Sequence, residues 1–156
     1  MNFENIDTGC IDLESLPWIP FTPYSPEVML KYVKFNPITD EMIVFLKAPG
    51  DMEMPRHHHS GTVIAYTLTG KWKYKEHDWT AGPNTVVYET ASSEHTPVAL
   101  NQGEVIVFNV IVGDLVYLDD NNNVIAIENW KTGMQRYLKF CEDNGIEPQD
   151  LTAFNG

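Results

Sequence analysis

Cysteine and basic residues are both scarce in this 156-residue sequence. The two cysteines, Cys10 and Cys141, lie at opposite ends of the chain and form no C-x-x-C pair, so neither a disulfide framework nor a thiolate site is expected. Lysine and arginine number 10 against 22 acidic residues, which gives a formal net charge of −12. A surface of this sign repels nucleic acid and anionic membranes, so neither is an expected partner.

Long hydrophobic runs and targeting signals are also missing. The longest apolar stretch, residues 105–118, is interrupted by Asn109, Gly113 and Asp114, and it is too short and too polar to span a bilayer. Residues 1–13 contain acidic side chains and lack the basic and apolar pattern of a signal peptide. We therefore expect a cytoplasmic protein.

Proline is frequent at the start of the chain, and short strands follow it. Residues 1–40 are expected to form an extended N-terminal arm and edge strands, because proline cannot donate to a strand ladder. Residues 42–128 contain apolar or alternating runs separated by turn residues about every 8–12 positions, which is typical of a β-sandwich or β-barrel core. The predicted strands are 42–48, 62–69, 71–78, 86–89, 104–112, 115–118 and 124–127.

A helix is predicted only near the end of the chain, over residues 130–145. The segment from Thr132 to Gln135 has the form of a capping box, and Gly145 is placed to end the helix. No internal repeat or interdomain linker is visible in the sequence. It therefore predicts a single all-β domain, residues 1–156, with a short C-terminal helix.

The histidines give the clearest indication of chemistry. Three occur in succession, and side chains alternate on an extended strand, so His57 and His59 share one face while His58 points to the other. Two imidazoles spaced in this way can bind one metal ion, and His95 is the candidate for a third ligand because a short turn leads into it from another strand. Histidines in a solvated loop, or hydrogen-bonded within the structure, are the alternative.

The strand predicted at 71–78 supplies a candidate carboxylate. Its lysines occupy one face, which places Trp72, Tyr74 and Glu76 on the other, interior face. A buried carboxylate beside aromatic rings is costly unless it is paired or bound to a metal, so Glu76 is predicted as the fourth ligand. An exposed position at the strand end is the alternative for Glu76. Trp72 and Tyr74 are candidates for lining a substrate pocket, with plain core packing as their alternative.

These residues resemble the cupin superfamily. Its usual first motif places H-x-H between two glycines, and its second motif places one histidine after a third glycine. The matching residues are Gly50, His57, His59 and Gly70 for the first motif, and Gly82 and His95, more loosely, for the second. The glutamate ligand of typical cupins would fall at Val63, so that ligand is missing here.

One branch of the superfamily is more similar than the rest. It is typified by 2,4′-dihydroxyacetophenone dioxygenase, with acetylacetone-cleaving dioxygenase as a further relative. Segments 65–70, 72–79, 88–89 and 94–96 carry this resemblance, which extends over most of residues 15–130. In that branch the carboxylate ligand is displaced to the following strand, which agrees with Glu76. The resemblance implies a double-stranded β-helix, the jelly-roll barrel of the cupins.

The resemblance also implies an activity. The expected protein is a mononuclear non-haem Fe(II) dioxygenase that cleaves a carbon–carbon bond in a small dicarbonyl or α-hydroxyketone, with O2 as the second substrate. Zn, Mn or Ni are alternative metals for such ligands. A non-oxidative isomerase or decarboxylase, and a metal- or ligand-binding module without catalysis, are alternative functions.

Beyond the metal site no catalytic acid or base is identified. Glu89 and Glu94 lie near His95 in the sequence and are candidates, with solvated turn positions as the alternative. A homodimer or higher homo-oligomer is expected, formed through edge strands or the N-terminal arm.

Overall fold

The structure is a computed structural model that describes residues 9–100 and 103–152. Within these residues the chain forms β-strands, every paired strand antiparallel to its neighbour, followed by one α-helix. The strands are β1 (Ile19–Phe21), β2 (Ser25–Asn36), β3 (Glu41–Ala48), β4 (His57–His59), β5 (Val63–Thr69), β6 (Trp72–Tyr74), β7 (Val86–Glu89), β8 (Glu94–His95), β9 (Pro97–Ala99), β10 (Val105–Val112), β11 (Leu115–Leu118) and β12 (Val124–Glu128). The helix, α1, is Trp130–Asn144, and a single 3-10 turn at Leu13–Ser15 precedes β1.

The strands form two large sheets and one small one. The larger sheet has the order β1-β2-β3-β10-β5-β7, the second has the order β12-β11-β4-β8, and β6 pairs with β9. A cavity between the two large sheets is lined by side chains from both. The predicted all-β jelly roll with a short C-terminal helix is confirmed.

Strand β10 shows why the sequence folds into facing layers. It lies in the middle of the larger sheet, between β3 and β5, and its side chains alternate between the two faces. Val105, Val107 and Ile111 are buried, whereas Val112 is exposed at the strand end. This period of two places the apolar side chains against the opposite sheet, as burial of a single face requires.

The N-terminal strands differ in their positions within the larger sheet. Strand β1 forms one edge, but β2 is a 12-residue strand paired on both sides, with β1 and with β3. The proline-rich segment therefore contributes an interior strand as well as an edge. The first eight residues of the predicted arm lie outside the described residues.

The capping residue of the C-terminal helix lies three positions before Thr132, the predicted one. Asn129 is the N-cap, since its side chain accepts hydrogen bonds from the backbone of Lys131 and Thr132, and the Thr132 hydroxyl accepts one from the Asn129 N–H. Thr132 is therefore the third residue of the helix and not its cap. Asn129 takes the capping position, where asparagine is as favourable as threonine. Gly145 ends the helix in a left-handed conformation with φ 64°. No helix in the described part of the chain has the length and apolar character needed to cross a membrane.

A glycine fixes the position of strand β4. At Gly61 an added Cβ would lie 2.2 Å from the carbonyl oxygen of Val112, at the end of β10. Only glycine allows this close approach. The segment that follows His57–His59 is thus held directly against the larger sheet.

Candidate metal centre

Three histidines come together on the adjacent strands β4 and β8 of the four-stranded sheet. Strand β4 lies between β11 and β8, and its pairing places His57 directly opposite His95. His57, His59 and His95 are all buried, and one nitrogen from each lies within 4.8 Å of the others. His58 is half-buried and stays out of this group, as the alternation of side chains along β4 requires.

Hydrogen bonding and burial prepare His57 to bind a metal. Its Nδ1 lies 3.0 Å from the carbonyl oxygen of Pro55, so Nδ1 carries the proton and donates it to that oxygen. The Nε2 lone pair is therefore directed to the other histidines. Burial, together with the neighbouring His59, lowers the pKa of His57 to about 3, so the ring is neutral at physiological pH. A neutral imidazole oriented by a carbonyl is the form that ligates metals.

The other two imidazoles meet through their Nε2 atoms. These atoms of His59 and His95 lie 2.8 Å apart. The Nδ1 atom of His59 is buried and has no hydrogen-bond partner among the described residues. Two buried nitrogen atoms so close together are an arrangement that a shared cation stabilises.

A buried carboxylate, Glu89, lies against the same atoms. It is the last residue of β7 and only 5% exposed, and its Oε2 is 2.8 Å from Nε2 of His59 and 3.4 Å from Nε2 of His95. Burial opposes ionisation of Glu89, but hydrogen bonds from His59 and His95 outweigh it and hold the carboxyl pKa well below its usual range. The side chain is therefore a carboxylate that faces the histidines.

Glu76, the predicted fourth ligand, is exposed and is not part of the buried group that the three histidines form. Strand β6 ends at Tyr74, and a turn follows in which the His77 N–H donates to the Tyr74 carbonyl oxygen. Glu76 is exposed, and its Oε2 accepts a hydrogen bond of 2.9 Å from the Thr96 N–H. Strand alternation does not extend past Tyr74, so Glu76 does not take the interior position that alternation predicts, and its role as a ligand stays a prediction.

The position of Glu89 follows from strand pairing. Strand β5 pairs with β7, and this pairing sets Val63 directly opposite Glu89. Val63 occupies the place at which typical cupins carry their glutamate, so the carboxylate here enters from the neighbouring strand. The sequence contained part of this signal, since exposed Val86 and Tyr88 alternate with Val87 and Glu89.

Tyr74 contacts both the histidines and the carboxylate. Its ring stacks on His95, with centroids 3.7 Å apart and planes at 10°, and its hydroxyl donates to Oε1 of Glu89. Trp72, two residues earlier, donates from its indole N–H to the Thr67 hydroxyl at 2.8 Å. Both aromatic side chains are buried and line the cavity between the sheets.

Two cavities adjoin the histidine cluster. The interior cavity, of about 110 Å³, is enclosed mainly by apolar side chains and includes His57, His59 and Glu89 in its wall. An outer groove of about 470 Å³ reaches His95 and Glu89 from the other side, past His77 and Trp79. The cluster therefore lies between a mainly apolar cavity and an outer groove.

The donor set suits a divalent transition metal. Imidazole nitrogens with one carboxylate oxygen bind Fe, Zn, Mn and Ni ions, and their neutral rings and single negative charge leave a bound divalent ion with a net charge near +1. The fixed tautomer of His57 and the low carboxyl pKa of Glu89 keep both donors in their metal-binding forms. The residues present fit such an ion.

Comparison with known proteins gives the family. Residues 7–112 match the model of the ChrR cupin-like domain. A solved RmlC-like cupin protein from Ralstonia eutropha JMP134 is 56% identical, with a TM-score of 0.94 over 99% of this chain and 100% of that one. The predicted relationship to the cupin superfamily is confirmed. No curated protein matches the sequence.

More distant structures share the fold. An acetylacetone dioxygenase from Acinetobacter johnsonii is 17% identical, with a TM-score of 0.75 over 89% of this chain and 95% of that one. The anti-sigma ChrR of Rhodobacter sphaeroides, solved in complex with SigE, is 21% identical, with a TM-score of 0.54 over 64% of this chain and 50% of that one. At these identities the likeness extends to the fold alone.

Proposed function

The chain belongs to the ChrR cupin-like domain family, and we propose that it is a mononuclear non-haem Fe(II) dioxygenase that cleaves a carbon–carbon bond in a small dicarbonyl or α-hydroxyketone. One observation carries this proposal: three buried imidazoles and a buried carboxylate lie together, and His57, His59 and Glu89 of this group line a mainly apolar cavity. Such a site suits a small substrate with two neighbouring oxygens, because they can chelate an ion while the carbon body fills the cavity.

We assign the metal ligands to His57, His59, His95 and Glu89, in place of the originally predicted Glu76. All four side chains are at most 6% exposed, whereas Glu76 is exposed and bonded to backbone. An Fe(II) ion held by these residues would polarise the substrate oxygens as a Lewis acid and would pass electrons from the substrate to dioxygen, whose two atoms end in the products.

The other residues of the site hold the proposed ligands in place and surround the substrate with apolar side chains. Tyr74 holds the His95 ring by stacking and Glu89 by a hydrogen bond, so one side chain fixes two proposed ligands. The apolar cavity wall excludes water from the reacting carbons and strengthens the electrostatic interactions at the site. No residue is assigned here as the base that accepts the substrate proton, because Glu89 is occupied by its contacts with the histidines.

A second candidate is a metal- or ligand-binding module without catalysis. It is supported by the family model and by a structural neighbour that is an anti-sigma protein. A non-oxidative isomerase or decarboxylase with Zn, Mn or Ni would use the same ligands.

Oxygen consumption separates these candidates. Protein loaded with Fe(II) under anaerobic conditions is mixed with β-diketones or hydroxyketones in an oxygen electrode, and products are identified by mass spectrometry with ¹⁸O₂. We expect one O2 consumed per substrate cleaved, with label in the products. The zinc-loaded protein is the control and should consume none. If the protein binds iron but consumes no oxygen with any member of the panel, the dioxygenase assignment is wrong.

A further inference from the structure

The interior cavity has a polar feature away from the histidines. Asn109 lies in the central strand β10, on the inward face that it shares with Val105, Val107 and Ile111. The other inward side chains of this strand are apolar and buried, whereas Asn109 is half-buried and lines the cavity. An amide in the middle of an apolar strand face is costly unless its polar atoms are paired.

Hydrogen bonds fix which end of the amide faces the cavity. The Asn109 Nδ2 donates to the carbonyl oxygens of Val107, at 3.1 Å, and Val44, at 3.4 Å. The amide nitrogen is therefore directed to the sheet backbone. Its Oδ1 makes no hydrogen bond with any described residue, so an acceptor remains available at the cavity surface.

The carboxylates of the cavity wall are already engaged. Both oxygens of Glu128 accept hydrogen bonds from Arg136, and one also accepts from Thr132. Glu89 is held by the histidines and by Tyr74. Both carboxylates are therefore occupied by contacts within the protein. The Asn109 amide oxygen, in contrast, can accept a hydrogen bond from a ligand.

We propose that Asn109 is a specificity-determining residue whose Oδ1 accepts a hydrogen bond from the substrate. The substrate class would then be a small, mainly apolar molecule with a chelating oxygen pair at one end and a hydroxyl or N–H donor at the other. This inference rests on the proposed function, since it needs a ligand that is anchored at the histidine site.

The test uses hydroxamates, which chelate metals through two oxygens and do not react. Zinc-loaded protein is titrated calorimetrically with propano-, butano- and pentanohydroxamate and with the same compounds carrying a terminal hydroxyl. At the chain length that reaches Asn109, we expect the hydroxylated compound to bind more tightly, on the order of tenfold, as one additional buried hydrogen bond provides. In Asn109→Leu the ratio should fall to about one, while Ile111→Val, on the same strand face, should keep it.

Each outcome bears on a different claim. A ratio of one in the wild-type protein at all three chain lengths would overturn the inference, and so would a ratio that persists in Asn109→Leu. The wild-type ratios decide the matter even if Asn109→Leu does not fold. Failure to bind zinc at all would instead overturn the proposed metal site, and with it this inference.

Discussion

At the residue scale, the assignment of the carboxylate ligand is the sharpest departure from the sequence prediction. Replacing Glu89 by glutamine keeps its size and removes its charge, and we expect Zn(II) or Fe(II) affinity to fall by at least 10-fold, as for loss of a charged metal contact. The matched variant Glu76→Gln should leave affinity unchanged, because Glu76 is exposed and bonded to the Thr96 N–H. Competition titration with a chromogenic chelator measures both. The reverse ranking would restore Glu76 as the ligand.

The group of three histidines could be predicted from the sequence, whereas the carboxylate that we propose as their fellow ligand could not, for a physical reason. His57 and His59 lie within a real strand, so local alternation placed them on one face. Glu76 lies beyond the end of β6, where alternation no longer applies. Alternation along β7 indicates which face Glu89 is on, but it reaches the histidines because β5 pairs with β7 and sets it opposite Val63, and that pairing cannot be predicted from a short segment.

Tyr74 should act on the metal site without being a ligand. Tyr74→Phe keeps the ring that stacks on His95 and removes the hydroxyl that donates to Glu89. We expect metal affinity to fall about 10- to 100-fold, the usual effect of losing a hydrogen bond to a ligand, with little change in fold. Tyr66→Phe is the control, since its hydroxyl donates to exposed Asn84 away from the site. Equal metal affinity in the two variants, by the same competition titration, would contradict this role.

At the scale of elements, the helix α1 is joined to the barrel by a buried ion pair. Arg136 donates to both oxygens of Glu128, at 2.6 and 2.7 Å, and to the Tyr32 hydroxyl at 2.9 Å. Glu128 ends β12 and Tyr32 lies in β2, so one guanidinium connects the helix with both large sheets. The position of α1 therefore depends on contacts between segments far apart in the sequence.

Removing this arginine should destabilise the fold strongly. Arg136→Met leaves the carboxylate of Glu128 buried and unpaired, and we expect the free energy of unfolding to fall by about 3–5 kcal/mol. Lys139→Met removes an exposed i,i+4 pair with Asp143 that solvent screens, so it should leave the free energy of unfolding nearly unchanged. Urea denaturation followed by circular dichroism measures both. A loss in Arg136→Met no larger than in Lys139→Met would show that the ion pair does not hold the helix.

At the scale of the whole molecule, the fold class could be predicted but the order of strands could not. Turn spacing and alternation are local properties, and they are sufficient to predict an all-β chain with a terminal helix. The placement of β10 between β3 and β5 joins segments separated by long stretches of chain, and β2 became an interior strand in spite of its proline. Pairings of this kind create both the cavity and the carboxylate position.

Self-association is the remaining expectation at this scale, and the larger sheet offers an edge for it. Strand β7 is the outermost strand on one side, and its Val86 and Tyr88 are 62% and 64% exposed. Among the described strands none pairs with the outer edge of β7, and such an edge with large apolar side chains is a template for pairing with a second copy. The net charge of −12 on each copy opposes such contact, so association should strengthen as salt screens the repulsion.

We therefore expect the protein to sediment as a homodimer in analytical ultracentrifugation, more completely at 0.5 M than at 0.05 M salt. Val86→Lys should shift it to monomer, because a charge on the edge strand must be desolvated when two copies pair. Val124→Lys serves as the control: Val124 is 57% exposed on β12, the outer strand of the other large sheet, so its substitution tests the opposite edge. If Val124→Lys dissociates the dimer and Val86→Lys does not, the copies associate through the smaller sheet. A monomeric wild-type protein at high salt would mean that the apolar edge of β7 is not an interface between copies.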